Sequence, residues 1–248
     1  MDAQVPANNG SNAADDMKVA TLISGGLDSA VLVAWAKQQG YDQLAFFVNY
    51  GQDNLNREFA CARINTQRVG VPLEVVDLTP LRNSFIGRFP FPLNLYDCLV
   101  KNPLGQVTTF ALTSLVAGIA VLADRYKLIL GIHHTDIEYR PVLRKSMSGL
   151  EDVVNHVVSS FTDREFSLMM PFKDTDRKDV ITTGFSLGVE FENTWSCHEN
   201  VDMPCGICEG CQERAEAFTI AGVHDPQLGQ GMKIPVHAKL PDGTAARI

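Results

Sequence analysis

A glycine-rich hexapeptide directly after the first apolar run has the residue types of an anion-binding turn. Apolar residues 19–23 predict a buried strand before it, and the apolar periodicity of residues 30–35 predicts a helix after it. Glycines let a backbone approach an anion closely, serines add hydroxyl donors, and a helix N-terminus offers unpaired N–H groups. No Gly-Lys-Ser/Thr follows, so it is not a Walker loop. We call it the glycine loop (residues 24–29): Ser24-Gly25-Gly26-Leu27-Asp28-Ser29.

Four cysteines near the end of the chain have the spacing of a metal site. They form the pattern C-x₇-C-x₂-C-x₂-C, at Cys197, Cys205, Cys208 and Cys211. Four thiolates satisfy tetrahedral Zn²⁺ with no open position, so we predict a structural zinc site in this cysteine loop (residues 197–211). An iron–sulfur cluster is the alternative, because C-x₂-C-x₂-C also occurs in ferredoxins. Disulfides are disfavoured because we expect the chain to stay in the reducing cytosol.

The elements that must position these groups alternate between strand and helix. After the first strand and helix, the sequence predicts strands over 44–50, 73–78, 127–132 and 166–169, and helices over 57–69, 110–123, 151–161 and 176–187. Residues 79–106 contain four prolines and predict a long irregular loop. The alternation predicts an α/β, doubly wound parallel sheet with helices on both faces. Ligands of such sheets bind beyond the carboxyl ends of the strands, where the glycine loop, 49–52 and 131–136 should converge.

Composition and charge limit the classes of function. A hydrophobic content of 45% and a charged content of 20% over 248 residues are ordinary for a globular protein, and no apolar run is long enough for a membrane span. A net charge of −8 disfavours sequence-blind nucleic-acid binding, which needs clustered Lys and Arg. We expect a cytoplasmic protein with a disordered tail over 1–16, a nucleotide-type domain over 17–190, a helical zinc-binding segment over 191–226 and a C-terminal extension over 227–248.

Two sets of residues carry a family resemblance. The glycine loop resembles the PP-loop signature Ser-Gly-Gly-x-Asp-Ser of ATP pyrophosphatases, which have the adenine nucleotide alpha hydrolase-like fold. Residues 194–197, together with the other three cysteines, Arg214 and Phe218, resemble the end of the 7-cyano-7-deazaguanine synthase (QueC) family. The stretch 50–52 with Glu58 is similar to the second motif of that family, and 171–173 to its penultimate helix region. The resemblance extends from about residue 17 to 226.

The resemblance implies an ATP-dependent ligase-type enzyme. Such an enzyme adenylates the carboxylate of 7-carboxy-7-deazaguanine with Mg-ATP, ammonia displaces AMP to give an amide, and a second ATP drives dehydration to the nitrile. The implied ATP-binding residues are those of the glycine loop, with Asp28 on Mg²⁺ and Lys173 on the phosphates. The implied substrate residues are Tyr50, Gly51, Gln52 and Arg144, and Asp136 would contact substrate or metal. The family also implies a homodimer and a structural Zn²⁺.

Departures from the family pattern lie in the expected substrate pocket. Asp53-Asn54 stand where the family has Arg-His, 107–109 replace Val-Pro-x-Arg-Asn, and Val142-Leu143 replace Asp-Cys. His133 and His134 replace small polar residues, and both packing and chemistry remain open for them. One alternative is therefore a QueC-like paralogue of bacterial anti-phage defence (CBASS-type) operons that passes the activated deazaguanine to an amine of a partner protein. A non-catalytic nucleotide-binding adaptor is a further alternative, which retention of a Mg-holding aspartate disfavours.

Overall fold

Five parallel strands form one sheet in the computed structural model, which describes residues 13–79, 105–134, 141–199 and 201–227. The strands are β1 (Lys18–Ile23), β2 (Asp42–Asn49), β3 (Leu73–Asp77), β4 (Lys127–Ile129) and β5 (Ser167–Met169). Their order is β3-β2-β1-β4-β5, and all four neighbouring pairs are parallel. The chain order reverses between β1 and β4, which is where a doubly wound sheet opens a crevice for ligands.

Helices connect the strands and cover both faces of the sheet. They are α1 (Ala13–Asp16), α2 (Leu27–Gln38), α3 (Leu55–Arg68), α4 (Gly105–Leu122), α5 (Pro141–Val158), α6 (Arg177–Ser186) and α7 (Glu209–Ala221), with a 3₁₀ turn at Phe191–Asn193. The predicted α/β doubly wound fold is confirmed. No helix in the described ranges has the length and apolar character that crossing a membrane requires.

Alternate residues of each strand pack on opposite faces of the sheet. Val19 and Ile129 lie in a core with α2, α6 and α7. Ala20 and Leu128, their neighbours in sequence, lie in a second core with α4 and α5. This period of two follows from the pleat, which turns successive side chains to opposite faces. The segment that carries the four cysteines (residues 191–226, the cysteine-bearing segment) contributes Phe218 of α7 to the first core. Helix α7 therefore packs on the same layer as α2 and α6.

Several predicted boundaries were wrong, among them the start of α4, which lies at Gly105 rather than at 110. Helix α5 begins at Pro141, ten residues before the predicted start at 151, so Arg144 lies on this helix. Proline is favoured at a first helical position because its missing N–H needs no partner there. The helix buries residues at helical spacing, Leu143, Met147 and Leu150. Strand β4 ends at Ile129 rather than at 132.

Several predictions fall partly outside the described residues. Of the predicted irregular loop over 79–106, only residue 79 and the residues from Gly105, which begin α4, are described. Of the predicted tail over 1–16, the described part is α1, where Asp15 pairs with Lys18. The C-terminal extension lies outside the described residues except for Gln227. The division into domains stays a prediction.

Candidate functional site

The glycine loop joins β1 to α2 with a backbone that only glycine fits at one position. Gly25 has φ +81°, and a Cβ there would lie 2.2 Å from the carbonyl oxygen of Glu58. Gly26 is extended and caps α2, and its carbonyl accepts the Ala30 N–H at 3.1 Å and the Ser29 hydroxyl at 3.0 Å. The loop therefore packs tightly on α3 while its start, at Ser24, is exposed. Such a turn before a helix N-terminus is suited to an anion.

The end of β4 packs directly against the start of α2. A Cβ on Gly131 would lie 3.3 Å from the backbone carbonyl of Asp28, so glycine permits this close approach. His133 is fully buried, and its Nε2 lies 3.9 Å from Oδ2 of Asp28. The predicted convergence of the glycine loop with the residues after β4 is therefore present for Gly131 and His133. Asp136 lies outside the described residues, and its role stays a prediction.

Arg177 brings a positive charge to the same end of the crevice. It is the first residue of α6, and its Nε donates to Nε2 of His133 at 2.9 Å. Its Nη1 lies 3.4 Å from Oε2 of Glu213 on α7. Sequence reasoning missed this arginine, although a basic residue at the start of the helix after β5 could have suggested it.

The turn after β2 is shaped by its own side chains. Backbone N–H groups of Tyr50 and Gly51 donate to the side chains of Gln52 and Asn49, both at 3.1 Å. The buried Gln52 amide donates to the carbonyl of Val48 at 3.2 Å. The turn thus has a fixed shape at the carboxyl edge of the sheet, next to β1. The predicted substrate role of Tyr50, Gly51 and Gln52 stays a prediction.

Glu58 connects that turn to the cysteine loop. Its carboxylate accepts from the Gln52 amide at 3.1 Å and from the Asn54 amide at 3.0 Å. Burial raises the pKa of Glu58 to about 7, and these two bonds oppose the rise. Burial also raises the pKa of Tyr50, and the nearby Glu58 charge adds to that rise. Asn54 donates in addition to the carbonyl of Cys197 at 2.7 Å, so one amide bridges two functional regions.

The four predicted cysteines come together. Their sulfur atoms all lie within 4.8 Å of one another, close to the sulfur separation of about 3.8 Å expected around tetrahedral zinc. Backbone N–H groups of Cys205 and Cys208 donate to sulfur atoms of Cys197 and Cys205, both at 3.3 Å. A Cβ on Gly210 would lie 2.0 Å from the carbonyl oxygen of Ser196, so a glycine is needed where α7 meets the loop. The donor set fits one tetrahedral metal ion.

A buried ion pair holds the segment 191–226 together, and two hydrogen bonds attach that segment to the loops after β1 and β2. Arg214 forms a bidentate pair with Asp225, at 2.6 and 2.8 Å, and also donates to the Thr194 hydroxyl at 2.8 Å. Trp195 donates its backbone N–H to the carbonyl of Gly25 at 2.9 Å. The second hydrogen bond is the Asn54 bond to Cys197 described above. Trp195, two residues before the cysteine loop, therefore contacts the glycine loop directly.

Two other predicted site residues lie on the surface. Lys173 is exposed in the loop after β5, at the carboxyl edge of the sheet. Arg144 is exposed on α5 and pairs with Asp174 at 2.8 Å. Their predicted contacts with phosphate and substrate stay predictions.

Comparison with known proteins decides the family. The family model described as Queuosine biosynthesis protein QueC matches residues 18–87 and 107–222, which is well over half of the chain. The chain belongs to the QueC family. The family expectation, and with it an enzyme of the ATP-dependent ligase type, is confirmed.

Curated relatives of the chain share this family. Two proteins named 7-cyano-7-deazaguanine synthase are similar to it over most of both lengths. The one from Archaeoglobus fulgidus is 31% identical over 218 residues, covering 86% of this chain and 90% of the relative. The one from Methanoculleus marisnigri is 29% identical over 217 residues, covering 84% and 97%.

A solved structure gives a more distant likeness. The U34-tRNA thiolase NcsA from Methanococcus maripaludis with its [4Fe-4S] cluster is similar with a TM-score of 0.49 at 14% identity. The likeness covers 93% of this chain and 78% of that chain. It carries no argument about function.

Proposed function

We propose that this QueC-family protein adenylates the carboxylate of 7-carboxy-7-deazaguanine and converts it to 7-cyano-7-deazaguanine. The observation that carries the proposal is the family match over a chain whose glycine loop lies at the crevice between β1 and β4. The curated relatives that cover most of the chain bear the name of that activity.

The reaction activates a poor leaving group twice. A carboxylate oxygen of the substrate attacks the α-phosphorus of ATP, the bond to the bridging oxygen breaks, and pyrophosphate leaves. Ammonia then attacks the acyl carbon, and AMP departs with the carboxylate oxygen to give the amide. The amide oxygen attacks the α-phosphorus of a second ATP and releases pyrophosphate. AMP then departs with that oxygen as the nitrogen loses its two protons, which leaves the nitrile. No protein nucleophile is required, so the residues bind, orient and neutralise charge.

The residues of the glycine loop are suited to holding the pyrophosphate. Backbone N–H groups at the start of α2 and the hydroxyls of Ser24 and Ser29 supply donors, and Gly25 and Gly26 let the phosphate come close. Asp28, in the first turn of α2, would hold Mg²⁺, which neutralises the departing charge. Arg177 would contact phosphate oxygens from the opposite side, and Lys173 is the second candidate cation.

The close approach of the four cysteine sulfur atoms supports a structural Zn²⁺ site. Four thiolates leave no open position for a water or substrate, so the ion would hold the segment and take no part in the reaction. The prediction is a stoichiometric zinc content in protein purified under reducing conditions, measured by mass spectrometry of the metal.

The outer faces of α4 and α5 support the proposed homodimer. Helix α4 has no charged residue over its whole length, yet Leu115 and Leu122 are exposed. On α5, Val153 and Val157 are exposed one turn apart, and Phe161 follows. A helix that is apolar all round is normally buried, and a second copy would bury this patch. Light scattering should show that Val157→Glu yields monomers while Ile220→Glu, on exposed α7 surface, leaves the dimer intact.

One experiment tests the proposed reaction. The metal-loaded protein is incubated with Mg-ATP and 7-carboxy-7-deazaguanine, with and without ammonium, and products are followed by mass spectrometry. Nitrile that depends on ammonium supports the proposal. AMP and pyrophosphate without nitrile would favour a paralogue that uses another acceptor, such as a protein amine.

A pair of aspartate variants provides the control. Asp28→Asn should lower pyrophosphate release by about 100-fold, because the Mg²⁺-binding carboxylate is lost. Asp163→Asn, an exposed position far from the crevice in sequence, should release it at the rate of the unmodified protein. Absence of AMP and pyrophosphate with the unmodified protein would favour the nucleotide-binding adaptor.

A further inference from the structure

A fully buried histidine lies at the phosphate end of the crevice. His133 has no exposed surface, although it follows the end of a strand that opens on the crevice. It stands where the family has a small polar residue, so the QueC match does not account for it. Its Nε2 is within hydrogen-bond distance of one charged side chain in the described residues, Arg177 at 2.9 Å.

Arginine is the donor in that bond and histidine is the acceptor. Arginine Nε always carries its hydrogen, so the Nε2 atom of His133 accepts it. An acceptor at this point suits an arginine that must keep its positive charge beside the proposed phosphate site.

Two side chains from different parts of the described chain contact the guanidinium of Arg177. Nε donates to His133 in the loop after β4, and Nη1 lies 3.4 Å from the carboxylate of Glu213 on α7. Glu213 is half exposed, with 50% of its side chain in solvent, so it restrains Arg177 weakly. The buried histidine is the stronger restraint because its own position is fixed by packing. An arginine without such a partner keeps much of its rotamer freedom.

We propose that His133 is a positioning residue that holds the guanidinium of Arg177 against the pyrophosphate portion of bound ATP. His133 itself makes no contact with the nucleotide, and it acts through Arg177. The proposal rests on the proposed function, since it needs the glycine loop to bind ATP. The distance of 3.9 Å between Nε2 of His133 and Oδ2 of Asp28 places Arg177 close to the groups that we propose to hold the phosphates.

Two substitutions at position 133 separate positioning from packing. His133→Gln keeps an acceptor, because a glutamine amide oxygen reaches the place of Nε2. His133→Asn is polar and fits the space but its amide ends near the place of Nδ1, so it does not reach Arg177. The probe is α,β-methylene-ATP with Mg²⁺, which cannot be cleaved, and its dissociation constant is measured by calorimetry. His134→Ala, at the exposed neighbouring position, is the matched control.

The expected result is a selective and non-additive loss. His133→Asn should weaken binding by about tenfold, while His133→Gln and His134→Ala should stay within about twofold of the unmodified protein. Arg177→Met should weaken binding at least as much, and adding His133→Asn to it should cause no further loss. Adenosine, which has no phosphate, should bind all variants equally.

Three outcomes would overturn the positioning role. These are losses that multiply in the double variant, a His133→Gln variant as weak as His133→Asn, or an equal loss of adenosine binding. Thermal unfolding of each variant identifies any that fails to fold. If His133→Asn fails to fold, the comparison of His133→Gln with Arg177→Met decides whether His133 has the positioning role. Failure of the unmodified protein to bind the ATP analogue would instead count against the proposed function.

Discussion

The cysteine loop and the crevice between β1 and β4 assemble their side chains in opposite ways. The cysteine loop takes all four sulfurs from one short stretch, 197–211. The crevice takes Asp28 from α2, His133 from the loop after β4, Arg177 from α6 and Glu213 from α7. The first site needs a short spacing and a turn, whereas the second needs the sheet to be complete. Local sites therefore tolerate changes elsewhere in the fold better than assembled ones.

Hydrogen bonds nevertheless join the two regions. Trp195 bonds to the glycine loop at Gly25, and Cys197 accepts from Asn54, whose amide also holds Glu58. Loss of the metal would loosen both contacts. All four candidate ligands lie in the cysteine loop, so a weakened glycine loop should lower the affinity for the metal without releasing it. We therefore expect metal loss to weaken ATP binding, and a change in the glycine loop to leave the metal content unchanged.

The largest effect should come from removing a metal ligand. Cys208→Ser should abolish metal binding and lower the free energy of unfolding by on the order of 5 kcal/mol or more, because metal binding and folding of such loops are coupled. ATP affinity should fall as well. Metal analysis and urea unfolding measure these effects. Cys61→Ser is the control, since burial raises the pKa of Cys61 to about 11 and keeps it a thiol outside the cluster. A metal-free Cys208→Ser variant of full stability would refute the coupling.

A smaller loss should follow from breaking the buried ion pair. Asp225→Ala leaves the guanidinium of Arg214 buried without its partner and should cost about 3–5 kcal/mol in urea unfolding. Asp174→Ala breaks the exposed pair with Arg144 and should cost at most about 0.5 kcal/mol. Equal losses for the two variants would mean that the pair does not hold the cysteine-bearing segment.

A change in the glycine loop tests whether the metal content stays unchanged. Gly25→Ala should cost about 2–3 kcal/mol and prevent ATP binding, because its Cβ would clash with Glu58 and its φ is +81°. Metal content should remain that of the unmodified protein. Gly40→Ala has the same φ but its nearest neighbour is 3.6 Å away, so it should cost only about 1 kcal/mol and bind ATP normally. Metal loss in Gly25→Ala would contradict this expectation.

The smallest effect concerns Glu58, which lies between the two regions. Its pKa is raised by burial from 4.5 to about 7, so the folded state binds the proton more tightly than the unfolded state. The contribution to stability is complete below about pH 4.5 and is lost as the pH rises through about 7. Glu58→Gln should remove this dependence.

Unfolding at pH 5 and pH 8 measures the difference. Between pH 5 and pH 8 the free energy of unfolding of the unmodified protein should fall by on the order of 2 kcal/mol relative to that of Glu58→Gln. Asp77→Asn is the control, because a backbone bond from Thr79 lowers the pKa of Asp77 below 3.8, outside this range. Parallel curves for the unmodified protein and Glu58→Gln would show that the carboxyl is not desolvated.

Contiguous features could be predicted from the sequence. The alternation of strand and helix gave the parallel sheet, and the cysteine spacing gave a sulfur cluster that the structure brings together. Both depend on neighbours in sequence, where periodicity and spacing carry the information. The early start of α5 was missed, because the sequence predicted a helix only from residue 151.

Contacts between distant elements could not be predicted. No local pattern relates Arg177 to His133, or Asn54 to Cys197, because each pair meets only after the sheet has formed. Asn54 appeared in the sequence only as a departure from the family, yet it donates to both Glu58 and the cysteine loop. A residue that departs from the family pattern can thus form hydrogen bonds inside the protein, as Asn54 does.

The bond between Gly25 and Trp195 links the order of translation to the order of assembly. Gly25 leaves the ribosome early, while its hydrogen-bond donor is near the other end of the chain. The glycine loop is therefore synthesised first and completed last, after the slow closure of a long-range contact. A nascent chain halted before residue 195 carries the whole loop sequence without the contact that fixes its carbonyl.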